Sequence, residues 1–424
     1  MLIDFEVGNF KSFREPIRLS LLAANPIKEH EEDTVFEAGP QRLLKCAAVY
    51  GANASGKSNL MDALVNMRWF ALNSSKESQA TEEIDVTPFK LDADFEGAPS
   101  RFEVRLLIEG VTYRYGYEVD SEAVRGEWLF RATKRAESEL FLRREDQIEV
   151  FPSRFREGKG LEEKTRDNAL FLSVVAQFNG TIAQSILTWF SEVRPLHGLH
   201  GGDFGGRSVD MLMDEGEKQR LLEFVRTADF GMESMTAKEE EFDESEILRL
   251  LTEEGRRRLR RSTEAKTVSI SGVHAKYRGG ERIGTANLDL ATEESAGTSK
   301  FFFLAGPLLD CLREGRVAIV DELDARLHPH LTREIVRLFN SAETNPHNAQ
   351  LLFCTHDTNL LTKNLFRRDQ IWFVEKDKQG ATALYSLADI KVRNDAAFER
   401  NYLRGRYGAV PILADFAEPV KGGG

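Results

Sequence analysis

The chain has 424 residues, 41% of them apolar and 30% charged, with a net charge of −12. That length supports two or three domains, or one large domain with an insertion, with ample apolar material for a core. The acidic balance excludes a protein that simply coats nucleic acid, so any nucleic-acid contact has to be local.

In chain order, residues 1–22 alternate apolar and polar side chains, which predicts two strands joined by a turn at Gly8-Asn9. "LLKCAAVY" (43–50) suits a buried strand. "GANASGKS" (51–58) follows it, and then "NLMDALVNMRWFAL" with helical spacing. Residues 84–150 are β-rich, with a hairpin break at Glu109-Gly110. From about 161 to 262 the pattern turns helical, interrupted by a Gly-rich loop at 197–208. Strands return at 266–277 and 283–290. "ATEESAGTSKFFFLAGPLLD" (291–310) then sets a small-residue turn before an apolar helix over 298–312. Three apolar strands with polar ends close the pattern: "RVAIVDELD" (316–324), "AQLLFCTHD" (349–357) and "DQIWFVEKD" (369–377).

Cys46, Cys311 and Cys354 lie far apart in apolar runs and read as buried free thiols of a reducing compartment. The N-terminus has no apolar signal region, and the longest apolar stretch (301–309) is too short for a bilayer. The expectation is a cytoplasmic protein without a membrane partner.

"GANASGKS" fits G-x-x-x-x-G-K-[ST] between a strand and a helix. Gly51 and Gly56 let the backbone turn its N–H groups toward a phosphate, across Asn53, Ala54 and Ser55. Lys57 reaches the β/γ oxygens, Ser58 ligates Mg²⁺, and the helix dipole from Lys57 and Asn59 onward favours an anion. "VAIVDELD" supplies the other half: Asp321 holds Mg²⁺ through water, and Glu322 polarises the attacking water. A lone Asp-Glu pair at a strand end more often marks a solvated loop; beside a phosphate loop it gains meaning. His356 follows the next strand after one intervening helix, which places it near the γ-phosphate.

A second anion turn, Ser295-Ala296-Gly297-Thr298, lies far downstream of the first. By itself it reads as a plain helix cap. It gains a function if it caps the γ-phosphate held by a second copy of the chain, with Gly297 allowing close approach. The order is phosphate loop, small-residue turn, Asp-Glu, "LDARLH" with Asp324, then His356. It resembles the ABC-type ATPases of the SMC, RecF and OLD-like branches. "ESAGT" is similar to their signature motif, with Ala296 at the place of the first glycine, and "LDARLHPH" is similar to their D-loop. Gln79 or the Pro88-Phe89-Lys90 region stands where the glutamine loop of that family is expected.

Further stretches narrow the resemblance: "VGNFKSF" (7–13), "PFKLD" (88–92), "EWLF" (127–130), "NALFLSVVAQFN" (168–179) and "RNYLRGRYGAVP" (400–411). Together they resemble RloA-like ATP-binding proteins of bacterial phage-defence and restriction loci, over nearly the whole chain. The resemblance implies an α/β, ABC-type P-loop ATPase head, with a mixed sheet core, an antiparallel β subdomain and a helical insertion. The expected parts are 1–160, 161–265 and 266–424. It implies ATP and Mg²⁺ as ligands, with Asn9, Phe10, Lys11 and Asp324 joining the two anion turns in nucleotide contact. It also implies a homodimer or higher oligomer through composite ATP sites. The OLD-like relatives carry a C-terminal TOPRIM nuclease, for which this chain has no room.

The implied function is a sensor or regulatory ATPase of an anti-phage system. It would control a separately encoded effector, TOPRIM-like or another nuclease, after a nucleic-acid or phage-derived trigger. The alternative is a RecF-like repair ATPase without a toxic partner; a transporter nucleotide-binding subunit fits poorly with the β-rich 84–150 region. The basic run 255–261 reads either as a nucleic-acid or partner patch or as a solvated helix face balanced by the acidic stretch 238–246. Tyr402, Arg404 and Arg406 read either as binding anchors or as part of a tail that packs on the core.

Overall fold

The computed structural model describes residues 1–76, 79, 82–132, 136–197, 206–240, 267–392 and 396–411. Two sheets organise the first of its two compact units, which comprises residues 1–198, 310–325 and 329–424. In the first sheet, β1 (Leu2–Gly8) lies between β2 (Ile17–Ser20) and β6 (Ser100–Ile108). Strands β7 (Val111–Val119), β8 (Val124–Ala132), β9 (Glu137–Arg144) and β10 (Gln147–Val150) extend it as an antiparallel meander. A small hairpin of β3 (Val35–Ala38) and β4 (Gln41–Leu44) precedes β5 (Cys46–Tyr50).

The second sheet has six strands in the order β11-β15-β16-β5-β17-β18. These are β11 (Arg194–His197), β15 (Val317–Asp321), β16 (Gln350–Cys354), β17 (Ile371–Lys376) and β18 (Thr382–Ser386), around the central β5. All neighbours run parallel except β17 and β18. Parallel strands end at one edge, so the residues after β5, β15, β16 and β17 gather there.

The helix Lys57–Asn73 lies in the core between both sheets. Leu60, Met61, Leu64, Met67 and Phe70 pack with Phe5, Phe102 and Tyr117 of the antiparallel sheet and with Val49, Ile319, Leu352 and Val374 of the parallel one. Each such buried side chain stabilises the fold by about 1.5–3 kcal/mol. Two of the stretches that carry the RloA-like resemblance, 127–130 and 168–179, meet here. The buried Glu127 carboxylate accepts from the Phe171 and Leu172 backbone N–H groups and from the Tyr115 hydroxyl, which caps the helix Phe171–Gln177.

The second unit, residues 199–309 and 326–328, contains a three-stranded antiparallel sheet of β12 (Ser234–Glu240), β13 (Thr267–Arg278) and β14 (Glu281–Asp289). Its core joins Met211, Leu221, Leu222, Met235, Phe302 and Ala305. The expected boundaries at 160/161 and 265/266 differ from these units. The helices Phe171–Gln177 and Thr181–Glu192 bury Phe171, Ile186 and Phe190 in the first unit's core. Residues 234–240, expected within a helical stretch, pair with β13, because Met235 alternates with polar neighbours and is buried. Residues 206–208, expected in a loop, begin the helix Gly206–Met213. The basic run 255–261 lies outside the described residues. Among the described residues the three cysteines are free and buried, and no helix is long and apolar enough to cross a membrane.

Candidate nucleotide site

At the shared strand edge, β5 runs into the loop Gly51–Gly56 and then the helix Lys57–Asn73. No side chain caps this helix; its N-cap is Gly56, at φ 111°. The first N–H groups of a helix have no partner within it, and here none is taken by an N-cap side chain. The resulting cavity, about 510 Å³, is walled by Asn53, Ala54, Gly56, Lys57, Ser58 and Asn59, together with Glu322, His356 and Lys376.

The loop is braced from behind. The Asn59 amide donates to the Ser12 hydroxyl at 2.8 Å, Ser12 Oγ lies 2.9 Å from Thr382 Oγ1, and Thr382 Oγ1 donates to the Ser55 carbonyl at 2.8 Å. One consistent direction of donation runs Asn59 to Ser12 to Thr382 to Ser55. A Cβ on Gly56 would stand 2.5 Å from Thr382 Oγ1 and 2.9 Å from Ser12 Oγ. Glycine is therefore required both by the close approach and by the positive φ.

Lys57 folds over the loop and donates to the Gly51 and Ala52 carbonyls at 2.9 and 3.0 Å. Burial lowers its pKa, which an incoming phosphate would reverse. Asp321 is buried at the end of β15, and Glu322 follows at φ 53°. Ala54, also on the cavity wall, has φ 61°. Left-handed backbone at non-glycine residues is uncommon and gathers at functional sites. Asp324 accepts from the backbone N–H of His356, at 3.2 and 3.3 Å to its two oxygens. The His356 pKa is lowered, first by desolvation and then by the charge of Lys57.

The structure thus brings Asn53, Ala54, Gly56, Lys57, Ser58, Asn59, Glu322 and His356 to one cavity. Gly51, Ser55, Asp321 and Asp324 support it without lining it. Asn9 and Phe10, expected in nucleotide contact, are engaged elsewhere. The Asn9 amide donates to the Phe95 and Ala98 carbonyls and its oxygen accepts from Phe89 N–H, while Phe10 is buried edge-on against Phe102. Lys11 pairs with Asp62 at 2.7 Å. Gln79 and Phe89 do not line the cavity. Lys376 is the residue that sequence reasoning missed. It became visible only with the strand order, since Phe373 pairs with Tyr50 and the following residues of β17 run beside the loop.

The small-residue turn belongs to the second unit. Ser295 Oγ accepts from Thr298 N–H at 3.1 Å and lies 2.9 Å from Thr298 Oγ1, a helix cap on Ala296–Glu314. A Cβ on Gly297 would meet the Arg326 carbonyl oxygen at 2.7 Å, so this glycine is already required within its own chain. Ala296 is exposed.

The residues fit a nucleotide and a divalent cation. The uncapped helix start and Lys57 suit phosphate oxygens, and the Ser58 hydroxyl and Asp321 carboxylate are hard oxygen donors of the kind Mg²⁺ takes. No curated protein matches the chain. A family described as "AAA domain, putative AbiEii toxin, Type IV TA system" matches residues 46–362, well over half of it. With its phosphate loop and parallel sheet, the chain belongs to this family of ABC-like P-loop ATPases.

Proposed function

We propose that the chain is a Mg²⁺-dependent ATP hydrolase that closes on a second copy of itself around ATP and thereby regulates a separately encoded effector in a defence or toxin–antitoxin setting. One observation carries the catalytic part: Glu322 and His356 share a cavity with the phosphate loop residues Gly56, Lys57 and Ser58. The loop N–H groups and Lys57 hold the β- and γ-phosphates. Bound at Ser58 and Asp321, Mg²⁺ supplies charge neutralisation on the phosphate oxygens. Glu322 orients a water and takes its proton as the water oxygen bonds to the γ-phosphorus. The bond to the β,γ-bridging oxygen breaks, leaving ADP and phosphate. His356, whose pKa is lowered by burial and by the charge of Lys57, contacts the γ-phosphate end.

Ser295, Ala296, Gly297 and Thr298 of a second copy close the site, giving a homodimer or higher oligomer. The family's description supports a toxin–antitoxin context. The RloA-like and OLD-like stretches favour a regulatory ATPase acting on a nuclease, TOPRIM-like or other, after a nucleic-acid or phage-derived trigger. The test is phosphate release by the purified chain with Mg²⁺ and ATP. Turnover should disappear with a chelator and in Lys57→Ala. A wild-type chain that neither binds nor hydrolyses ATP overturns the reading. Pull-downs from native cells with wild-type and Glu322→Gln protein test for the effector.

A further inference from the structure

The stretch 398–409 wraps onto the ATPase core where several parts of the nucleotide site meet, and the hydrolysis chemistry uses none of it. Its helix, Phe398–Leu403, presents Tyr402 inward. The Tyr402 ring stacks on Phe373 of β17, with centroids 5.5 Å apart and planes at 17°. It meets Tyr50, the residue directly before Gly51, edge-on at 6.0 Å. Tyr407 packs on the same Phe373 ring at 5.9 Å. The Tyr402 hydroxyl donates to the Ala409 carbonyl and the Asn401 amide donates to the Tyr407 hydroxyl, so the stretch closes on itself.

Its polar contacts fall beside the cavity residues. The Ala409 N–H donates to Glu375, the neighbour of the cavity residue Lys376. The Thr358 hydroxyl, two residues past His356, donates to the Glu399 carboxylate at 3.2 Å, and the Glu399 N–H donates to the Leu361 carbonyl. The Tyr50 hydroxyl lies 3.4 Å from the Asp357 carbonyl. One short segment therefore ties the strand before the phosphate loop, the loop carrying His356 and the strand end carrying Lys376. A tail that served only to cover apolar surface would need its rings, not polar contacts aimed at these backbone segments. The burial of Tyr402 also removes it as an exposed anchor; of the three candidate anchors, Arg404 and Arg406 stay at the surface.

We infer that the 398–409 segment is a positioning strap for the nucleotide site, with Tyr402 and Glu399 as positioning residues that fix where His356 and Lys376 stand. The catalytic consequence rests on the ATPase reading above; the structural consequence does not. Two measurements on the full chain separate them. The first is amide hydrogen exchange, without nucleotide, in Glu399→Ala and Tyr402→Leu. Exchange at residues 355–361 should rise in both, and at 374–376 in Tyr402→Leu, while the Lys57–Asn73 helix stays protected. Unchanged exchange at 355–361 in both variants overturns the inference whatever the chain hydrolyses. Loss of protection throughout the core in both variants overturns it too, since the segment would then hold the fold and not the site.

The second is steady-state ATP turnover. Glu399→Ala should lower kcat on the order of tenfold, since small displacements of site residues cost rate. ATP affinity should stay within a factor of about two, because the strap leaves the phosphate loop N–H groups in place. Glu399→Gln keeps an acceptor for Thr358 and should recover most of kcat. An active wild type with an unchanged kcat in Glu399→Ala overturns the positioning role, whereas an inactive wild type bears on the ATPase reading alone.

Discussion

Thr382→Val replaces a hydroxyl by a methyl of nearly the same shape and tests how the phosphate loop is held. Thr382 is 5% exposed, Ser12 7% and Ser55 4%, so water cannot substitute for the lost group. The valine removes the bond to Ser12 and the bond to the Ser55 carbonyl. The lost bond to Ser12 costs roughly 1 kcal/mol and the Ser55 carbonyl left buried and unsatisfied about 1–3 kcal/mol, which centres the loss on about 3 kcal/mol. Where the loss falls decides the readout. If the loop relaxes locally, global stability changes little and ATP affinity drops, up to about a hundredfold at 1.4 kcal/mol per tenfold. If the loop stays, the urea midpoint falls instead. Equilibrium unfolding and titration with a fluorescent ATP analogue measure both. Thr382→Ser keeps the hydroxyl and should recover most of either loss. A Thr382→Val chain with wild-type midpoint and wild-type affinity would refute the bracing argument.

Lys376→Ala should weaken ATP binding roughly tenfold or less, as expected for one charged contact at an exposed position, and the difference should shrink in high salt; salt-independent affinity would place Lys376 outside the nucleotide contact. Ala296→Glu puts a charge at an exposed turn position without the clash that Gly297→Glu would make with Arg326 in its own chain. Mixing Ala296→Glu with Lys57→Ala chains should recover part of the ATPase activity that each lacks alone, and no recovery argues against sharing of the turn between copies. Because His356 has a lowered pKa when folded, the unfolded chain binds that proton more readily. Stability from this residue is therefore full above its ordinary value of 6.5 and falls as pH drops toward the lowered one, after which it levels. His356→Gln should flatten that part of the urea-midpoint profile; an identical slope in both proteins contradicts the assignment.

The local sequence carried the phosphate loop and its flanks because each residue there contributes a different physical property. An apolar strand runs into a loop of small residues, the loop ends on a glycine at φ 111°, and a lysine and a helix start follow at once. Asp321, Glu322 and His356 were legible for a similar reason, each following an apolar strand too short to be a helix. Lys376 and Thr382 were not, since their meaning depends on which strand lies beside β5, and order within a sheet leaves no local pattern. Asn9 and Phe10 show engagements that the motif did not announce. A motif near a phosphate loop suggested contact with the ligand, whereas the asparagine staples the loop to residues 89–98 and the ring fills the core. The strand at 234–240 was hidden by its charged end, which alternation at Met235 and Ala237 outweighs once β13 is beside it. Tail residues 400–411 offered two readings in sequence, and the burial of Tyr402 favours packing on the core.

The most direct test of the proposed hydrolysis is the fate of ATP on Glu322→Gln protein. With Mg²⁺ and radiolabelled ATP, this variant should bind nucleotide as the wild type does and retain it mainly as ATP, with phosphate release slowed by about a hundredfold or more, as expected when the group that orients the attacking water is lost. ADP and phosphate formed at the wild-type rate would show that Glu322 is not the base and that the cavity does not work as described.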